Sequence, residues 1–427
     1  TSSIEDISDN GEGVVGQFAG RVNQFRFTLQ DSMLQARLVR RYGVKNTGMG
    51  KNADQIIERS NTPGIFQSYK ILAYTPDKKA VVVDMTELFL ESSRLTNPFP
   101  SYAGNSLYGF VQRIHKFQSQ RSELLGICGN DNSMSVRCNL GFNVDRLVLG
   151  SFMQAKDVPV SVTVNKILML LPEDPMRPRL ADSRIGVNAI IQTELPDVCQ
   201  GIKTYYITKR WRIEPVDEIR YKQGEMVDVK KPIVFYIDTL MPDSWIKYVK
   251  AGAEAWNAAF EKIGLRNVVR TELFPKDSSF DAGDIHNSVI RYAPSWMYYP
   301  QYSMHTDPRT GEILNASVYL PANVASYFYT SRTEETMAVD PSVRKARLSE
   351  EQFGEMFKAK MMQAIGRCLG LTDNYAASSV YPVDSLRSAK FTQKYGTTPS
   401  IMDYARFNYV AQPEDKGVKL TPPNLGI

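Results

Sequence analysis

The chain has 427 residues, enough to bury a large core and to form two or three domains. With 43% apolar and 23% charged residues and a net charge of +5, it has an ordinary globular composition and only a mild basic excess. A helical membrane span is excluded, because no apolar run approaches the roughly 18 residues required; the longest runs, around Ile167–Leu171 and Ala80–Val83, read as buried strands.

Residues 1 to about 170 read as a strand-rich domain. Gln24-Phe-Arg-Phe-Thr-Leu, Val81-Val-Val-Asp-Met and Val160-Ser-Val-Thr-Val alternate, with Gly, Asn and Asp turn signals between them. Thr86-Glu-Leu-Phe-Leu predicts a helical turn capped by Thr86. Arg37, Arg40, Arg41, Lys45 and Lys51 bunch together, as a surface for nucleic acid or anionic lipid would, but a solvated strand face and loop explains them, and the usual nucleic-acid motifs are absent. Cys128 and Cys138 bracket a Gly-Asn-Asp-Asn-Ser turn, so a disulfide across a hairpin and two buried free thiols both stand as readings. Cys199 stands alone, and Cys368 falls on a predicted buried helix face. The three histidines, His115, His286 and His305, are not spaced to share a metal and read as surface or packing residues.

Residues 171–204 form a proline-rich connector, because Pro172, Pro175 and Pro178 forbid a regular helix. A ligand segment for another protein is the less economical alternative. From 205 to 427 the pattern is that of an α/β domain. Tyr205 to Ile213 and Lys231-Pro-Ile-Val-Phe-Tyr-Ile-Asp read as strands. A helix capped by Asp243 or Ser244 follows, carrying Trp245, Val249, Trp256 and Phe260 and ending at Gly264. Asn287-Ser-Val-Ile-Arg-Tyr and Glu312-Ile-Leu-Asn-Ala-Ser-Val-Tyr-Leu are two more strands.

The strongest helix signal lies between Ser349 and Leu371. Phe353, Met356, Phe357, Met361, Ala364, Ile365, Cys368 and Leu369 make an apolar stripe, broken only by Lys360, whose stem can snorkel. Ser349 and Gln352 form a capping box, and Gly370 ends the helix. The run Gln363-Ala-Ile-Gly-Arg-Cys-Leu-Gly-Leu-Thr-Asp then lies in the frame of the metzincin signature H-E-x-x-H-x-x-G-x-x-H, with Met402 of Ser400-Ile-Met-Asp-Tyr as the later Met-turn. Gln363 stands at the first histidine, Ala364 at the glutamate, Arg367 at the second histidine and Asp373 at the third. Gly370 and Met402 keep the structural positions.

Ligands at i and i+4 converge on one metal from one helix face, and a third returns to it only if the helix stops at Gly370. Here the amide of Gln363 is a weak ligand, Ala364 carries no general base and Arg367 has no lone pair. The frame is kept while the chemistry of a zinc protease is removed. The guanidinium of Arg367 is expected in the vacated metal position, paired with Asp373 and hydrogen-bonded by Gln363.

Together with Pro172–Gly186, Trp211–Pro215, Lys231–Asp238, Asp307–Ala316 and Ser400–Asp415, this motif resembles large bacterial zinc-dependent metallopeptidases of the Bacteroidota type. The resemblance implies an α+β chain, with a strand-rich N-terminal region followed by a metzincin-like domain, truncated at its C-terminus after Pro422–Gly426. Zinc is the cofactor it implies for the family, and this member is expected to have lost it: a pseudoprotease with a degenerate zinc motif. It also implies secretion, with the periplasm, outer membrane or cell surface as location; Thr1 without a signal peptide before it reads as a processed or excised start. The resemblance makes Glu312–Leu320 the edge strand on which such enzymes dock an extended peptide, placing Leu314, Asn315, Ala316 and Ser317 against a partner, with Tyr404 lining the same site. The first expectation is therefore a non-catalytic homologue that binds a peptide or protein partner within a cell-envelope complex. A hydrolase using Asp373 with Glu312 or Asp403, and a purely structural subunit, are the alternatives.

Overall fold

The computed structural model describes residues 2–9, 12, 18–19, 22–39, 44–46, 51–60, 62–92, 97–99, 111–129, 132–148, 152–195, 203–277, 280–295 and 297–426. Arg40, Arg41, Cys199 and the side chains of Lys45 and Lys51 lie outside what is described. Two compact units emerge: residues 1–175 with 190–207, and residues 176–189 with 208–427.

The first unit is built of antiparallel hairpins. Long strands at Val111–Gly129, Ser133–Val148 and Phe152–Met169 run side by side and are extended by Ser2–Ile7 and Phe18–Ala19. Alternate residues of a strand face one side, which is why Val136, Cys138, Leu140, Phe142 and Val144 are all buried, opposite Val160, Val162 and Val164 of the next strand. A four-stranded meander comprises Phe25–Gln30, Met33–Leu38, Gly64–Tyr74 and Val81–Val83. Ile167 is buried as expected of a core strand, whereas Leu170 and Val82 are exposed, because the apolar runs end at the sheet margins.

One local expectation fails here, and of the two cysteine readings the free thiols hold. Thr86 is the first residue of the helix Thr86–Leu90, whose cap position is Met85 without a side-chain cap bond; the Thr86 N–H donates to the Asp84 carboxylate instead. Cys128 and Cys138 are both free; Cys128 faces Ser135 and Cys138 faces Leu124, because the hairpin register sets them apart. Cys128 is exposed rather than buried. His115 is half-buried, stacked on Phe99 at 4.0 Å and bonded to Glu12 at 2.9 Å.

In the second unit a five-stranded sheet carries β1 (Ile233–Ile237), β2 (Val269–Leu273), β3 (Ser288–Ala293), β4 (Gln301–Thr306) and β5 (Ile313–Pro321), in the order β2-β1-β3-β5-β4. All neighbours are parallel except β4, which runs antiparallel to β5 at the margin. Three helices matter for the site: α1 (Asp243–Glu254), α2 (Val324–Thr336) and α3 (Glu350–Cys368).

Helix α1 has Pro242 before its first residue and no side-chain cap, so neither Asp243 nor Ser244 plays the capping part. It also stops at Glu254, and Phe260 belongs to a separate turn, Asn257–Glu261. The break frees Trp256 to reach α3, where its indole N–H donates to the Met362 carbonyl at 2.8 Å. Helix α3 begins with the expected capping box between Ser349 and Gln352. Its burial is not confined to one stripe: every residue from Met361 to Gly366 is buried. Gly252 of α1 explains one covered side, since a β-carbon there would stand 2.6 Å from that of Met361. No helix among the described residues is long and apolar enough to cross a membrane.

Candidate functional site

The site grows out of the way α3 ends. Gly370 adopts a φ of +99°, a conformation open to glycine, and a β-carbon there would stand 2.5 Å from the Lys209 carbonyl. Its N–H donates to the Arg367 carbonyl and that of Leu371 to the Gly366 carbonyl, both at 3.0 Å, a Schellman closure that satisfies the last turn. The reversal carries Asp373 back alongside the helix it has just left. The Asn374 N–H then donates to the Met402 carbonyl at 2.9 Å, tying this loop to the turn at Ser400–Tyr404.

Arg367 and Asp373 meet as a result. Nε and a terminal nitrogen of Arg367 donate to one Asp373 oxygen at 3.1 and 2.7 Å, with the side chains 14% and 25% exposed. Burial works against the guanidinium charge, but the Asp373 hydrogen bond and charge outweigh it and hold its pKa above the ordinary value. The Tyr302 ring of β4 covers the guanidinium at 5.6 Å.

Gln363 does not join this pair. Its Nε2 donates to the Asp403 carbonyl at 3.0 Å and its Oε1 accepts from Lys360 Nζ at 2.8 Å. The amide is used up one helical turn away, where a buried ammonium needs an acceptor. Lys360 therefore turns inward instead of snorkelling to water. Ala364 is buried and offers no polar atom.

Whether these residues fit a zinc ion is decided by their donor set. Arg367 is a cation, Asp373 is engaged by it, the Gln363 oxygen is taken by Lys360, and Ala364 supplies nothing. They do not fit. Among the described residues no three His, Cys, Asp or Glu side chains cluster closely enough to hold a metal ion. Burial pushes His305, on β4, down to about 3, so its ring is neutral. His286 is bonded to Asp284 at 2.8 Å.

The other carboxylates are committed elsewhere. Glu312 accepts two bonds of 2.9 Å from Arg212. Asp403 accepts from the hydroxyls of Ser378 and Thr398 and from the Tyr404 N–H.

The edge position needs correcting. Leu314, Asn315, Ala316 and Ser317 sit on β5, which lies between β3 and β4, with Asn315, Ala316 and Ser317 fully buried. The Asn315 amide donates to the carbonyls of Ile285 and Asn287, and the Ser317 hydroxyl accepts from the Val289 N–H, so these side chains serve the sheet itself. Among the described residues the sheet has two outer strands, β2 and β4, and β4 is the one beside Arg367. Its Tyr302 is exposed, as are Tyr375 and Tyr404, whose rings stack at 5.4 Å. Reading Glu312–Leu320 as a strand is right to within a residue of the observed Ile313–Pro321; its position in the sheet is set by β4 folding back on it, and Gln301-Tyr-Ser-Met-His-Thr alternates too weakly in the sequence to announce that.

Beneath Tyr404 and α3 lies a cavity of about 60 Å³, with Met356, Lys360, Gln363, Tyr404, Arg406 and Phe407 in its wall. Burial, with Arg367 and Arg406 adding to it, pushes the Lys360 ammonium down to about 8.

Comparison with known proteins adds to this geometry. Residues 17–216 match a domain of unknown function (DUF5117). No curated protein and no solved structure matches the chain. Residues 345–427 match the family described as Met-zincin, so the part of the chain that carries α3, Gly370 and Met402 is Met-zincin-like and metallopeptidase-related.

Proposed function

We propose that the protein is a pseudoprotease: a metallopeptidase-related chain that holds an extended polypeptide without cutting it. One observation carries this reading. Where a metal and its water would have to be held, a guanidinium and a carboxylate neutralise each other at 2.7 Å. A water molecule is activated by a Lewis acid and a nearby base, and this arrangement offers neither. Polypeptide binding is supported by the open edge of β4, whose backbone groups can take an added strand, and by the exposed rings of Tyr302, Tyr375 and Tyr404 beside it. Those exposed rings also favour a binding role over a purely structural one. The proposed setting in a cell-envelope complex, with a peptide or protein as partner, rests on the segment resemblances between residues 172 and 415.

The test is metal analysis of the purified protein combined with a broad peptide-cleavage screen, with and without chelator, and a peptide-binding screen. Substoichiometric zinc, no cleavage and measurable binding are expected. Stoichiometric zinc, with cleavage abolished by chelation, would refute the proposal.

A further inference from the structure

We infer that the cavity beside α3 is a carboxylate-binding site in which Lys360 holds the anion. This rests on the polypeptide-binding reading and names the chemical group of the peptide that the site takes.

Size comes first. A cavity of about 60 Å³ accommodates roughly four water-sized bodies, at about 10–15 Å³ each. A carboxylate with its adjoining carbon has that volume. Phe328, Met356, Ile401 and Phe407 contribute apolar wall, which lowers the local dielectric and strengthens any charge interaction made inside.

An ammonium has three donors, and one of them goes to Gln363 Oε1. The amide of Gln363 is itself fixed by donation to the Asp403 carbonyl, so the amine is held at the cavity wall with donors to spare. The neighbouring arginines are already balanced: Arg367 pairs with Asp373, and Arg406 with Glu335. Asp403 lines the cavity too, but its carboxylate accepts from Ser378, Thr398 and the Tyr404 N–H. Among the described residues Lys360 forms no ion pair. Its remaining donors can therefore take an anion that enters the cavity.

A peptide offers this group from two sources, its C-terminus or an Asp or Glu side chain. Calorimetric titration of the whole chain with penta-alanine, its C-terminal amide, and the amide with a central glutamate separates them. We expect one of the two acid peptides to bind about ten- to a hundredfold more tightly than the plain amide, as a charge-assisted hydrogen bond in a partly enclosed site provides. Lys360→Met keeps the stem, removes the charge and should erase that difference. Because a variant can also misfold, the unmodified protein is tested by the acylation rate of Lys360 with an activated ester, read by mass spectrometry, which excess acetate should slow.

Equal binding of all three peptides to the wild type, or a difference that persists in Lys360→Met, overturns the inference and leaves polypeptide binding standing. Protection of Lys360 by acetate with no peptide bound supports the carboxylate site and refutes the peptide reading. Protection by inorganic phosphate but not acetate, or by neither, overturns the site.

Discussion

A β-carbon built on Gly366 would stand 2.4 Å from the sulfur of Met402 and 2.6 Å from the ring of Trp256. The missing side chain lets the turn at Met402 and the indole of Trp256 press against α3 together. Substituting Gly366→Ala improves helix propensity by up to about 1 kcal/mol but forces one of these neighbours to move, at about 1–3 kcal/mol. A net loss of about 1–2 kcal/mol is expected. All four tryptophans fall between residues 211 and 296, so the urea midpoint followed by their fluorescence reports the second unit. An unchanged midpoint would show that the packing gives way easily.

Arg367 and Asp373 should be worth less as a pair than either costs when orphaned. Asp373→Asn leaves a mostly buried guanidinium without its counter-charge, and about 2 kcal/mol of stability should be lost. Adding Arg367→Met should recover part of that loss, giving a coupling energy above about 0.5 kcal/mol in a double-mutant cycle. Strict additivity of the two changes would mean that the pair is decorative.

Lys360 gives the stability a pH signature. Burial above all holds its folded pKa at about 8, below the ordinary value of 10.5, with Arg367 and Arg406 repelling it and Asp373 attracting it. The unfolded chain therefore binds the proton more readily, and stability rises as pH climbs from about 8 to about 10.5. Lys360→Met should be more stable than the wild type below pH 8, by up to about 3 kcal/mol, with the gain shrinking through that window. Urea melts at pH 7 and pH 10 measure it; a difference that does not change with pH contradicts it.

The thiols should differ sharply in reactivity. Cys128 is exposed, whereas burial pushes Cys368 up to about 12 and raises Cys138 as well. Iodoacetamide should label Cys128 in the native protein and reach Cys138 and Cys368 only on unfolding. Mass spectrometry of the alkylated peptides decides; rapid native labelling at residue 368 would show that α3 opens.

Local features with a self-contained physical cause were legible in the sequence. The capping box at Ser349, the glycine stop at Gly370 and the proximity of Arg367 to Asp373 all follow from helix geometry over a few residues. Features that depend on distant partners were not. Gln363 was expected beside Arg367, but Lys360 and the carbonyl of Asp403, forty residues on, compete for its amide. The apolar stripe on α3 understated its burial, because Gly252 and Met402 approach it on other sides. The strand expected at Glu312–Leu320 is present, yet its place within the sheet depends on which chain segment folds beside it, and periodicity carries no such information.

The turn after α3 has one more partner, drawn from well upstream. The Asn188 N–H donates to the Gly370 carbonyl at 2.7 Å, the Thr372 N–H to the Gly186 carbonyl at 2.9 Å, and Val187 bridges to Leu371. Residues 176–189 thus belong to the second unit although 190–207 return to the first. A fragment beginning at Thr208 would strip this clasp from the stretch that sets Asp373 opposite Arg367, and no single cut in the chain leaves both units whole. Cleavage after Pro175 keeps every residue of the second unit but takes 190–207 from the first, so truncation spares one unit at the other's expense.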